Sequence, residues 1–307
     1  MITVLGSNAC NEKEFSAWFK EGKAFGLLWN LTKLTVSMPP EKVAKALHRI
    51  REMKTSARTT RTKLNKILGS LRHVVTCIRP AVSFFQRVAE LARLAPRLGS
   101  RFITKPVKED LQWFDLILQM GRLNSIPMLR FAERSVSDFH VHMDATRKQY
   151  FQLEFDDAQL QLIQEFNQTG DNDVGINVRE LMSVVYASLV WGSVWTRSGA
   201  GNESHIRFWI DNMAEVSWSN KRFSRNSFAQ LLLRILSLCE VLHGSFATAA
   251  HIAGVNNDMA DAGSRVGRPS TRALTFAHLS SSWEQVEIRS DWRNLSTLWE
   301  HYCAREL

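Results

Sequence analysis

Cysteine is scarce in this chain, and the four present (Cys10, Cys77, Cys239, Cys303) share no disulfide or metal-ligand spacing. That excludes a disulfide scaffold and a zinc knuckle, and it implies a reducing intracellular compartment, cytoplasmic or nuclear. Long apolar runs are missing too. The opening Met1–Leu5 stretch is short and has no basic flank, so neither a secretory leader nor a membrane partner is expected. Glycine is sparse where it would be most informative: after Asp144 none occurs until Gly170, which makes positive backbone angles expensive in the turn that follows Asp144. The glycines of 196–202 are followed by no Gly-Lys-Ser/Thr, so they build no phosphate cradle; this segment and 169–175 read as surface loops. There is no internal repeat and no low-complexity tract.

Acid is lacking in one half only. Residues 1–137 carry 24 Lys or Arg against 10 Asp or Glu, whereas residues 138–307 carry 15 against 20. Between Lys42 and Lys108, 17 basic residues face only Glu52 and Glu90. Such a surface neutralises phosphates and releases counterions, so nucleic acid is the expected partner of the first half. The candidate contacts are Lys42, Lys45, Arg58, Arg61, Lys63, Lys66 and Arg72. Lys221, Arg222 and Arg225 form a second basic group ahead of a helix expected over 226–242, whose N-terminus suits phosphate. The first half is helical in period. Pro39-Pro40-Glu41 starts a helix with Val43, Ala46, Leu47 and Ile50 on one face. Leu64, Ile67, Leu68 and Leu71 mark a second helix, and Val82, Phe85, Val88, Ala89 and Ala92 a third before Pro96.

The second half holds acids at ends of apolar segments: Phe139-His-Val-His-Met-Asp144, Ile176-Asn-Val-Arg-Glu180, His205-Ile-Arg-Phe-Trp-Ile-Asp211-Asn212, and His251-Ile-Ala-Gly-Val-Asn257-Asn-Asp258-Met-Ala260-Asp261 running on to Ser264-Arg265. Carboxylates brought together from separate elements suit a hard ion such as Mg²⁺. Two such ions about 3.5–4 Å apart activate water and stabilise the leaving oxygen in phosphodiester hydrolysis. Asp156-Asp157 is expected to cap a turn between strands 149–155 and 159–166. His140 and His142 alternate with Phe139 and Val141 and read as a solvated strand face. Trp191, Trp195, Trp209 and Trp218 read as core, with base stacking as the alternative.

In order and spacing these acids resemble the ribonuclease H domain of retroelement reverse transcriptases, of the DIRS-type and gypsy-type retrotransposons. The most specific stretch is His251, Gly254, Asn257, Ala260, Asp261, Ser264 and Arg265, on which Asp261 is preferred to Asp258. The resemblance implies catalytic and metal-holding roles for Asp144, Glu180, Asp211 and Asp261. Asp144 would bridge two Mg²⁺ ions (Mn²⁺ a possible substitute), Glu180 and Asp211 would serve one, and Asp261 the other. It also implies proton transfer or product release by His251. Family members place glycines after the first Asp; this chain does not.

Upstream, Phe25–Asn30, Leu34–Lys42, Leu68–Leu71, Arg79-Pro80 and Asp110–Phe114 look like the end of the palm, the thumb and the connection of the same polymerases. The aromatic-x-Asp-Asp hairpin of their palm is absent, so no DNA synthesis is expected, and fingers and palm would be partners in an intact element. The resulting expectation is a mixed α/β chain, α+β overall. A helical, basic thumb-like region (1–125) precedes a ribonuclease H-like five-stranded mixed sheet flanked by helices (137–266) and a tail of unassigned role (267–307). The implied activity is Mg²⁺-dependent hydrolysis of the RNA strand of an RNA–DNA hybrid. The alternatives are a decayed copy that binds hybrid or other duplex without cutting it, and a plain helical interaction protein.

Overall fold

The computed structural model describes residues 20–131, 136–143, 149–150, 153–154, 157–170, 174–197, 203–257, 262, 271–282 and 286–304. The N-terminal part begins with a hairpin of β1 (Glu21–Ala24) and β2 (Leu27–Asn30), joined through Phe25 and Gly26 at φ 52° and 76°. Two successive positive angles match the twist of a two-residue hairpin. β3 (Thr35–Ser37) continues the sheet, and β6 (Ile126–Pro127) returns to pair with β3. Between β3 and β6 lie four helices: α1 (Pro40–Thr55), α2 (Arg61–Cys77), α3 (Ala81–Leu94) and α4 (Lys105–Met120). β4 (Arg58–Thr59) and β5 (Arg101–Phe102) form a small clip beside them.

The three helices read from period are all present. Pro40 starts α1 where its fixed φ suits the first turn. Thr60 caps α2 by accepting from Lys63 N. Inward residues follow the helical repeat: Ala46, Ile50 and Met53; Leu64, Ile67, Leu71 and Val74; Phe84, Val88 and Leu91.

The C-terminal part is built on a parallel sheet. β10 (Ser204–Ile210) lies between β7 (Phe139–His142) and β11 (Ser245–His251), with Trp209 opposite His142 and Ala250. Ile206, Phe208 and Ile210 are buried while Arg207 and Trp209 are half-buried on the other face, the period-two pattern of a strand. Helices α6 (Ile176–Arg197), α7 (Met213–Lys221) and α8 (Ser227–His243) flank this sheet. Asn226 caps α8 by accepting from Ala229 N, and Gly244 ends it at φ 61°. The chain is therefore mixed α/β, with its sheet flanked by helices, as composition and period implied.

Two local expectations fail. The stretch 149–155 is not one strand: β8 (Gln149–Tyr150) and β9 (Leu153–Glu154) pair with each other. The stretch 159–166 is helical, inside α5 (Asp157–Thr169). The Gln-Leu-Gln-Leu alternation there mimics a strand. The side chains that turn inward are instead Leu160, Ile163 and Phe166, three apart, with Leu162 42% exposed. Among the described residues, the main sheet of this part thus holds three strands, with the β8–β9 pair separate from it.

The two parts meet along α4 and α8. Arg234 of α8, 1% exposed, donates to Asp110 Oδ1 from Nε (3.0 Å) and Nη2 (2.8 Å), and to Glu109 Oε2 from Nη1 (2.8 Å). Arg87 of α3 takes Asp110 Oδ2 at 2.8 Å. Beside them the Trp113 indole lies 4.4 Å from the Phe84 ring and donates to Arg234 O at 3.1 Å. The tail also returns here. α9 (Thr271–Leu279) precedes α10 (Leu295–Ala304), whose Leu295, Leu298 and Trp299 are buried against α4 and α8. Removing one member of such a buried ion network strands the others away from water. Arg234→Ala is expected to lower the unfolding free energy by about 3–5 kcal/mol in urea denaturation; a loss below about 1 kcal/mol would show that Asp110 is satisfied by Arg87 alone.

Candidate functional site

β10 ends in Ile210, and Asp211 follows it at the exposed lip of the sheet. The next residue fixes the geometry. Asn212 caps α7, accepting from Ala214 N (2.9 Å) and Glu215 N (3.4 Å), while its amide donates to Asn177 Oδ1 at 2.6 Å. That bond ties the start of α7 to the first turn of α6. One turn further along α6 sits Glu180, buried at 7% exposure. Asp211 and Glu180, far apart in sequence, are thereby carried on elements joined at their starts.

A third carboxyl joins them that the sequence did not reveal. Glu215, 0% exposed on the first turn of α7, meets no N–H or O–H donor among the described residues. Burial pushes its carboxyl well above the usual carboxylate range; the charge of Glu180, a carboxyl–carboxyl contact with Glu180 and the charge of Asp211 push the same way. Burial and the neighbouring acids thus both favour the neutral form of Glu215. The sequence offers no motif for this residue, since its role follows from burial.

Asp144 and Asp261 lie outside the described residues, as does the glycine-poor turn after Asp144. Their neighbours are described. Met143, just before Asp144, donates its N–H to Trp209 O at 2.9 Å, and its carbonyl accepts from the Asn257 amide at 2.9 Å. Asn257, 3% exposed, belongs to the stretch that leads to Asp261. Ile252 N donates to Ile210 O at 3.0 Å. The ends of β7, β10 and β11 are thus stitched side by side. His251, opposite Ile210 in register, is exposed at the end of β11. With His140, His142, Trp209, Ile252, Ala253 and Asn256 it lines an open pocket of about 420 Å³. Among the described residues no three His, Cys, Asp or Glu side chains are grouped closely enough to hold a metal ion.

The basic residues divide. Lys45, Lys66 and Arg72 are exposed on α1 and α2, as are Lys221 and Arg225 near α7; Arg61 is half-buried. Lys63 pairs with Glu52 at 2.7 Å, both exposed. Arg58 bonds Ser100 and covers the Phe102 ring at 4.0 Å. Lys42 turns inward, its Nζ 2.6 Å from His73 Nε2, and burial lowers the pKa of both groups. Arg222 is corrected outright. It is buried at 6% exposure, paired with Glu240 at 2.7 Å and bonded to Ala247 O at 3.0 Å, so it offers nothing to phosphate. Asp157 opens α5 rather than a turn between strands. Trp195 is core and Trp191 and Trp218 pack against it, as expected; Trp209 does not.

No protein-family model, no curated protein and no solved structure matches the chain.

The folded chain keeps the Glu215 proton to higher pH than the unfolded chain, where the group titrates near 4.5. Its contribution to stability is therefore full below that value and is lost as pH rises through the folded pKa. In metal-free thermal melts between about pH 5 and 8, the native chain is expected to lose stability relative to Glu215→Gln as pH rises. Parallel pH slopes would show that Glu215 carries no retained proton.

Proposed function

We propose that the chain hydrolyses the RNA strand of RNA–DNA hybrids at the ends of β7, β10 and β11, in the manner of the C-terminal part of a retroelement reverse transcriptase. One observation carries the reading: the Asn212–Asn177 bond joins the elements that bear Asp211 and Glu180, and the charges of both act on the buried Glu215 carboxyl. Carboxyls crowded in this way repel one another unless a proton or a cation lies between them. An all-oxygen donor set fits Mg²⁺ in preference to softer ions. Asp144, Glu180, Asp211 and Asp261 would hold it, and bound Mg²⁺ supplies an activated water and charge neutralisation at the phosphate. The parallel order of β7, β10 and β11 supports the same reading, because it sets the segments that bear three of the four acids side by side.

The remaining work falls to the chain's own side chains. Asn212 and Asn177 orient the start of α7 against α6. Asn257 and Trp209 clasp Met143 and so set the backbone from which Asp144 departs. His251, exposed at the lip, is placed to exchange a proton with solvent as product leaves. Exposed Lys45, Lys66, Arg72, Lys221 and Arg225 would hold the duplex backbone, and fingers and palm domains would complete the polymerase in an intact element. No helix among the described residues is long and apolar enough to cross a membrane.

The test is Mg²⁺-dependent cleavage of the labelled RNA strand in a hybrid. The native chain is expected to cut, and Asp211→Asn to lose on the order of a hundredfold or more in rate while still binding hybrid in EDTA. Native protein that binds hybrid in a salt-dependent way without cutting it would replace this reading with that of a binding relic.

A further inference from the structure

Trp209 is out of place for a core tryptophan. It stands on the half-open face of β10, outside the hydrophobic core, and its ring neighbours among the described residues are two exposed imidazoles. His140 and His142 flank it from β7, with ring centroids 6.0 and 6.2 Å away and planes tilted by only 16° and 25°. The indole Nε1–H donates to His140 Nδ1 at 3.0 Å. A bond that short between two ring edges, with the planes nearly parallel, places indole and imidazole side by side instead of face over face. Together they make a flat shelf, and the pocket of about 420 Å³ opens onto it.

From this geometry we infer that the shelf is a binding site for an unpaired nucleobase. The flat rings offer a stacking surface that accepts any base, because every base has a π-face. Indole nitrogen is a donor only, so His140 Nδ1 must be the acceptor and its proton resides on Nε2. That leaves an N–H at the rim of the shelf. Asn256 adds an amide, with one donor group and one acceptor, and His251 a further imidazole, all lining the same pocket. Stacking floor and mixed donor–acceptor rim are what a base presents surfaces to meet. The His140 Nδ1 lone pair is already engaged by the indole, so this nitrogen is not offered to a metal. The polar rim argues against an apolar ligand.

Position supplies the rest. Trp209 is one residue from Ile210 and two from Asp211, and its carbonyl holds Met143 N. A base seated on the shelf therefore lies beside the phosphodiester that the acids would address. The inference rests on the nucleic-acid reading of this region and is independent of cleavage. A nucleotide flanking the duplex, unpaired, would be splayed onto the rings, with its backbone directed along the strand ends.

The experiment is an equilibrium binding cycle in EDTA, where no cleavage confuses the signal. The probe is an RNA–DNA hybrid with a short single-stranded RNA overhang, compared with the same hybrid carrying abasic residues in the overhang. The native chain is expected to bind the abasic probe roughly five- to a hundredfold more weakly, the scale of one stacked base. Trp209→Ala should bind both probes alike, and Trp209→Phe, which keeps a ring, should restore part of the difference. Circular dichroism of each variant establishes that it folds, and His142→Ala serves if Trp209→Ala does not. Uridine monophosphate binding to the native chain is measured alongside. If it depends on Trp209 while the overhang penalty does not, the base comes from a free nucleotide and the shelf is still a base site. If neither the abasic penalty nor nucleotide binding depends on the shelf residues, the inference is overturned; hybrid cleavage by the same preparations, assayed separately with Mg²⁺, shows whether the functional reading survives it.

Discussion

The buried ion network of Arg234, Asp110, Glu109 and Arg87 is the constraint around which this molecule is organised. A guanidinium in mid-helix with 1% exposure is tolerable only when every donor finds an acceptor. Asp110 can serve two arginines only if α3, α4 and α8 keep one relative placement. The network therefore ties the spacing of the basic helical part to the α8 wall of the sheet that carries the acids. Trp113 reinforces the tie from the same helix, one face against Phe84 and its N–H on the main chain of α8. The tail helix α10 closes the remaining side of α4, so that α4 is buried on nearly all faces although it is flanked by charge.

On that frame, the acid site shows how differently its parts announced themselves. Ile210-Asp211-Asn212 was legible because an apolar strand, an acid and a helix cap each leave their own local mark, and they fall consecutively. The α8 helix was legible for similar reasons, with Asn226 before it and Gly244 after it. Glu215 left no mark. It stands between Ala214 and Val216 in a stretch otherwise rich in serine and asparagine, and its chemistry comes from the walls around it. Asp144 and Asp261 were read from order and motif; their anchoring neighbours Met143 and Asn257 are placed, whereas the acids themselves lie outside the described residues.

The misreadings share a cause. Arg222 stands in a basic run and was grouped with its neighbours by charge, yet a left-handed backbone at φ 52° turns its side chain inward to Glu240. Lys42 belongs to a basic helix but faces His73. The Gln-Leu alternation of 159–162 satisfied a period of two for four residues, too few to outweigh the three-residue spacing of Leu160, Ile163 and Phe166. In each case a local pattern was correct as pattern and was overruled by what lay across the fold. Trp209 shows the converse: it was grouped with core tryptophans by sequence, and the strand's alternation sets it on the other face.

The parallel pairing of β7, β10 and β11 also has a kinetic meaning. Strands joined this way are distant in sequence, so each pairing closes a long loop before any contact repays the lost entropy. The helices of the basic part, by contrast, are neighbours in chain order and associate through short connections. Assembly is therefore asymmetric. A chain emerging from synthesis forms the helices of its basic half first, and the ends of β7, β10 and β11 are aligned only once β10 has been flanked on both sides. The basic half is therefore in place, within each molecule's own history, before the strand end that presents Asp211 is brought into register.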